Sequence, residues 1–408
     1  MKADYTQRNA SIDILRALTM FVMIFVNDLW SVNDIPHWME HAGRGEDFLG
    51  LADTVFPCFL FVMGMSVPFA IERRYAKGLS GESTVGHILS RTLALLLMGV
   101  FIVNSEAGMS SGSGYSLPVY RLLMVGAFIC VWNRYPAAGS VNRRRLYLLL
   151  KLAGILVLLC LAVTFRDARG GVFGARWWGI LGLIGWSYML CALIYVFTRD
   201  RLKYLIPVWI ALAVMCITGS DMNEASGGEA LLSLPRPNFY SELQGILHTG
   251  NGALPAFTLG GVILSVLSAR YAHLLPGRKK LMAVAAMSGA LLIAGIISHR
   301  FWIVSKLSET PTWLFYITAL AIALYAIIYV LVEKGKARWF SVIKPAGTAT
   351  LTTYIIPYAA YSLGGIFGVR LPDWFTHGTL SIVNCICFSL AMIWIAWLLG
   401  RIHIKLKI

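Results

Sequence analysis

The sequence predicts an all-α, polytopic membrane protein, and three observations carry the prediction. Of 408 residues, 58% are apolar and only 13% charged, far from the usage of soluble domains. Apolar windows, each of about 20 residues and so long enough to cross a bilayer core of about 30 Å, recur along the whole length with no long polar domain between them. The net charge of +15 is concentrated in the short connections between the windows, where it acts as an orientation signal and not as a nucleic-acid surface. A single transmembrane domain over residues 1–408 is the economical reading, with the lipid bilayer as its partner.

About twelve spans, within a range of ten to twelve, follow in order: 11–30, 48–71, 87–104, 118–133, 146–165, 178–198, 203–219, 246–268, 281–299, 313–332, 346–366 and 378–400. The first is too long for a signal peptide, lacks a small-residue cleavage site and contains Arg16 and Asn27, so it is expected as a retained helix. The seven cysteines all fall within apolar segments and suit small core residues better than a disulfide framework. On this assignment 25 of the 35 Lys and Arg lie on the N-terminal side of the barrier and 8 on the other. The positive-inside rule then places both termini in the cytoplasm and the 37–47 loop outside. The outer segment 220–245 is the longest and most polar connection and is expected as a lid.

Ionisable groups inside apolar spans are expensive and by default propose a functional site. They concentrate in 11–130 and 241–264, the expected functional core. Asp13 and Arg16, three apart on one helix, suit an ion pair. Arg16 and Asn27, eleven apart, share a face about 16 Å apart along the axis, and Asp28 follows directly. The loop H-W-M-E-H places His37 and His41 around Glu40. On a short helix opened by Pro36 and closed by Gly43 that spelling fits an inverted zinc-peptidase pattern. Against zinc, five residues are a cheap match and no third ligand helix follows, so no metal is expected. Histidine is the side chain best suited to moving a proton near neutral pH, and a loop histidine suits a general base. Asp53, just inside the second span, orients the histidine or holds a substrate hydroxyl, or else makes a structural ion pair, with Arg121 as the candidate partner. Asn104, Glu106 and Arg121 are placed on the same outer side, as are His248 and Asn251 at the start of the eighth span.

The runs S-I-D-I-L-R-A-L-T-M-F-V-M-I-F-V-N-D, H-A and G-L-A-D-T-V-F-P-C-F-L-F-V-M-G-M-S, with Q-G-I-L-H-T-G-N-G later, resemble the heparan-alpha-glucosaminide N-acetyltransferase family and its bacterial relatives. The Arg16-to-Asn27 interval also resembles the first helix of the wider transmembrane acyltransferase group. The resemblance implies transfer of an acetyl group from cytosolic acetyl-CoA, a co-substrate, to the amine of a glucosamine-type sugar on the opposite face. It implies Asn27 and His41 as the central catalytic pair, with Asp53 beside them and His37 in reserve. Arg16, Arg91 and the cluster Arg143, Arg144 and Arg145 are then available to the CoA phosphates, and Asp28, Asn104, Glu106, Arg121, His248 and Asn251 to the sugar. A bacterial inner-membrane location follows, with a homodimer by family analogy. The rival reading from another class is an amino-sugar transporter using the same polar groups at a midplane site.

Overall fold

The computed structural model describes residues 9–137, 139–222, 228–231, 242, 245, 249–271, 277–369 and 371–408. Among these are fourteen α-helices and no named strand, only isolated bridges. In chain order they are α1 Ala10–Asp28, α2 Leu51–Ala76, α3 Gly81–Glu106, α4 Leu117–Trp132, α5 Val141–Thr164, α6 Gly179–Thr198 and α7 Leu202–Gly219. They continue with α8 Ala253–Tyr271, α9 Gly277–Ser298, α10 Pro311–Glu333, α11 Phe340–Thr348, α12 Thr350–Ile366, α13 Asp373–Thr376 and α14 Gly378–Arg401. A helix occupies every expected span, and the short α11 and α13 are additional. Ten are long and apolar enough to cross a membrane, whereas α4 has 16 residues and α12 has 17. The chain is a polytopic helical membrane protein.

The helices form two compact units. The first takes the chain up to Thr19, then Pro36–Leu93 and Leu183–Phe340; the second takes Met20–Ile35, Ala94–Gly182 and Ser341–Ile408. In the first unit α2 packs along α8, and glycine makes that contact backbone-close. A Cβ on Gly64 would fall 1.8 Å from the Thr258 carbonyl oxygen, and one on Gly261 would fall 1.9 Å from that of Phe61. Small residues allow this approach in apolar surroundings, where packing has to supply association. Ser265 Oγ donates to the Met65 carbonyl at 2.6 Å across the same seam. α10 covers the pair with the buried Trp313, edge-on to Phe257 at 4.9 Å, an arrangement that adds a little beyond area burial.

The second unit is built on α4, which packs against α5 and α12, with α14 alongside α12. Its core holds Tyr120, Phe128 and Phe165, each fully buried. The C-terminal tail is pinned there too: Lys407 N donates to Trp132 O at 2.9 Å and Leu406 N to Thr352 Oγ1 at 3.0 Å.

Candidate functional site

The site grows from the start of α2. Gly50 caps that helix, and a Cβ there would lie 1.8 Å from the Glu40 carbonyl oxygen. The missing side chain lets the 36–50 loop close onto the helix, which sets His41 against Asp53. Asp53 is 2% exposed. Its Oδ1 lies 2.6 Å from His41 Nδ1, and its Oδ2 accepts from Ala42 N at 2.8 Å. Trp313 Nε1 donates to the Asp53 carbonyl at 3.1 Å and fixes the helix start. A buried carboxylate has to be hydrogen-bonded, and these contacts meet that requirement.

A carboxylate facing Nδ1 assigns the proton to Nδ1 and leaves Nε2 as the lone-pair nitrogen. His41 Nε2 has no hydrogen-bond partner among the described residues, and the His41 side chain is 53% exposed. The second neighbour is Lys306, whose Nζ is 3.3 Å from His41 Nδ1 and 3.8 Å from Asp53 Oδ1. Burial pushes the Lys306 ammonium below the usual lysine range, and Asp53 opposes that shift.

The loop has a different arrangement from the one its H-x-x-E-H spelling predicts. Only His37–Met39 is helical, as one 3-10 turn, and Glu40 is extended at φ −77°, ψ 176°. The two histidines therefore do not share a helical face, and the backbone presentation that the zinc-peptidase reading needs is not formed. His37 gives both ring nitrogens to carboxylates, Nε2 to Glu46 at 2.9 Å and Nδ1 to Glu40 at 3.3 Å. Those contacts raise its pKa, Glu46 most. Glu46 in turn is lowered by the Gly43 backbone N–H and by His37. The ring stacks on Phe48 at 4.4 Å.

Three groups absent from the sequence reading complete the surroundings. His299 Nε2 meets Asp47 at 2.9 and 3.0 Å, and Val304 N donates to Asp47 Oδ1 at 2.8 Å. Those bonds pin the 299–310 loop, which carries Lys306, to the His41 loop. Glu309, at φ 50°, closes the same loop, and burial pushes its carboxyl up to about 8. The available signal was Lys306 itself, a cation between apolar spans on the side poor in Lys and Arg.

The other expected residues fall elsewhere. Arg16, in the first unit, pairs with Asp13 at 3.3 Å and donates to Ser66. Arg91 stacks over the Tyr188 ring at 4.6 Å, while Arg143, Arg144 and Arg145 are exposed in the first turn of α5, in the second unit. Asn27 and Asp28 end α1 in the second unit. Asn27 is exposed, and Asp28 is buried against Tyr361 and Ser31. Asn104 is fully buried and serves a loop: its amide donates to Gly174 O at 2.7 Å and its oxygen accepts from Arg176 Nε at 2.9 Å. Glu106 accepts from Tyr358 at 3.3 Å, and Arg121 donates to Ser105 O at 3.1 Å, so the ion pair considered for Asp53 is formed with His41 and Lys306 instead. Asn251 sits in a 3-10 turn ahead of α8 with φ 44°. His248 and most of the 220–245 segment lie outside the described residues.

A many-helix membrane protein with a carboxylate-oriented, solvent-open histidine belongs to the class in which proton transfer at the end of a helix bundle is feasible. By sequence the chain belongs to the family described as a domain of unknown function, DUF5009, whose model matches residues 8–235, more than half its length. It is also similar to the mouse heparan-alpha-glucosaminide N-acetyltransferase, 31% identical over 112 residues, and to the human enzyme of that name, 33% over 98 residues. Those matches take in 26% and 24% of this chain but only 16% and 14% of the relatives, which makes the likeness a distant one.

Proposed function

We propose that this protein is a membrane acyltransferase that moves an acetyl group from acetyl-CoA to the amine of a glucosamine-type sugar. The observation that carries the reading is the His41–Asp53 pair, an imidazole oriented through Nδ1 by a buried carboxylate and open at Nε2. This is the geometry of a general base held by a third group. Nε2 takes a proton from the attacking amine, a C–N bond forms at the thioester carbonyl, the C–S bond breaks, and the CoA thiolate leaves and is protonated. Distant likeness to two N-acetyltransferases supports the reaction class.

His41 is favoured over His37 because both nitrogens of His37 are already committed. Asn27 enters the reading through the family resemblance alone, as the donor to the thioester oxygen, a role worth roughly 3 kcal/mol for one donor. Arg16, Arg91, Arg143, Arg144 and Arg145 are candidates for the CoA phosphates on their charge alone, as charge-assisted partners. Charge distribution supports cytoplasmic termini, and the family resemblance supports a bacterial inner-membrane setting with the sugar on the periplasmic side.

The test is acetyl transfer by the purified protein in detergent, with acetyl-CoA as donor and glucosamine as acceptor. Acceptor-dependent CoA release that disappears in His41→Ala, with the variant still folded, is expected. Wild-type turnover in His41→Ala overturns the assignment. Movement of labelled sugar into liposomes without acetyl-CoA replaces it with a transporter.

A further inference from the structure

Lys306 faces His41 and Asp53 from a position that the fold builds rather than tolerates. Its loop is held on one side by Asp47, through His299 and Val304 N, and on the other by Thr310. The Thr310 hydroxyl accepts from Ser305 N at 3.2 Å and donates to Ile303 O at 2.8 Å. Trp302 Nε1 adds a bond to Ser220 O at 3.1 Å. The Lys306 side chain is 24% exposed, although a lysine in an outer loop is free to extend into water.

At 3.8 Å from Asp53 Oδ1 the ammonium is beyond hydrogen-bond reach, and at 3.3 Å from His41 Nδ1 it meets a nitrogen that already carries a proton for Asp53. It therefore acts there as a charge. Asp53 alone favours an imidazolium at His41, because an opposite charge within a few ångströms stabilises the protonated ring. A lysine ammonium, here at 3.3 Å against 2.6 Å for the carboxylate, opposes that effect. Of the other charged groups on these loops, Glu40 and Glu46 pair with His37 and Asp47 with His299, while Arg44 and the buried Glu309 carry no ion pair among the described residues.

We infer that Lys306 is a positioning residue for the proposed reaction, holding His41 in its neutral form with Nε2 open by setting a cation against the histidine–carboxylate pair. The inference rests on His41 being the base, but its physical content is independent of the substrate. Two like charges this close at a half-exposed site interact strongly enough to move a titration by about one pH unit after solvent screening.

The experiment measures carbethoxylation of His41 by diethyl pyrocarbonate against pH, read by peptide mapping in the full chain in detergent, because the reagent attacks only the neutral ring. In Lys306→Met the half-point of reactivity is expected to rise by about one pH unit, and in Lys306→Arg to remain at the wild-type value. Lys306→Gln, which keeps a donor and loses the charge, is expected to behave as Lys306→Met does and serves if the latter does not fold. Half-points that stay at the wild-type value in both neutral variants overturn the inference. The acid limb of the acetyl-transfer rate should move with the half-point. A shifted half-point in a protein that transfers nothing supports Lys306 and removes the acyltransferase reading; transfer with an unshifted half-point does the opposite.

Discussion

Two polar clusters of similar composition, one in each unit, do different things. In the second unit Asn104 is buried with its amide bonded to Val100 O and Gly174 O and its oxygen to Arg176, and Arg176 is closed off by Asp167 at 2.7 Å. Its side-chain nitrogen and oxygen are both used, and the product is a folded 165–178 loop. In the first unit Asp53 is as deeply buried and as well bonded, yet the histidine it holds keeps one nitrogen open and half its surface in water. Charge in an apolar sequence marks both clusters equally. What separates them is the open Nε2 of His41, which the proposed reaction uses.

The largest effect should come from breaking that distinction at Asp53. Asp53→Asn keeps the shape but offers an amide in place of the carboxylate, so the Nδ1-proton tautomer loses its acceptor. Transfer should fall by about 100-fold or more with little change in thermal midpoint. Asn104→Ala should do the reverse. It leaves Arg176 Nε and the Gly174 carbonyl without their partner, costing about 1–3 kcal/mol of stability, while turnover per folded molecule holds. Paired thermal melts and initial rates check both, and a loss of turnover without loss of stability in Asn104→Ala would erase the contrast.

Next in size is Gly50→Ala. The added Cβ has no room beside the Glu40 carbonyl, so the 36–50 loop must lift from α2 and carry His41 with it. Transfer should fall, but by less than in Asp53→Asn. Trypsin should cut at Arg44 faster than in the wild type, which limited proteolysis with mass mapping would read.

Much of this was legible in the chain. The apolar windows forecast every long helix, because a bilayer leaves the backbone no alternative to satisfying itself. The G-L-A-D run placed Asp53 near a histidine-bearing loop, and Gly50 now has a steric reason. Lys306 and His299 were hidden because their partners lie more than 250 residues away in sequence, a distance that no local pattern spans. The H-x-x-E-H spelling, from which no metal is expected, also lacks the helix of its pattern. It presumes a helix, but the segment has one 3-10 turn and then an extended Glu40, so adjacency in sequence became divergence in space. For Asn104 and Arg121 the sequence marks a polar group among apolar residues but not what it is bonded to, here Gly174 and Arg176 for the first and Ser105 for the second.

A smaller effect is expected at Glu309. Its carboxyl is raised to about 8 by burial, against about 4.3 in an unfolded chain. Between those values the folded state holds a proton that the unfolded state has released, so this group lowers stability as pH rises through that window. Glu309→Gln removes the titration. Its thermal midpoint should exceed that of the wild type near pH 8, and the difference should shrink towards pH 5. A difference independent of pH would assign the effect to packing instead.

The smallest effect, and the sharpest test of the contrast within one loop, belongs to His37. It is four residues from His41, in the same exposed loop, and hydrogen-bonded to carboxylates on both nitrogens. Its folded pKa is raised, so whatever order it lends the loop is fully present below the ordinary histidine value of about 6.5 and is lost as pH rises through the higher folded value. His37→Gln should therefore leave transfer within a few-fold of wild type at neutral pH, since no proton-accepting nitrogen is removed from the reaction. Any increase in proteolysis at Arg44 should be seen at acid pH, where the wild-type loop is held by the imidazolium, and should vanish at alkaline pH, where wild type has lost that hold as well. If His37→Gln instead abolishes transfer while His41→Ala does not, the open-nitrogen criterion has selected the wrong histidine. Bonding saturation would then cease to discriminate between the two clusters.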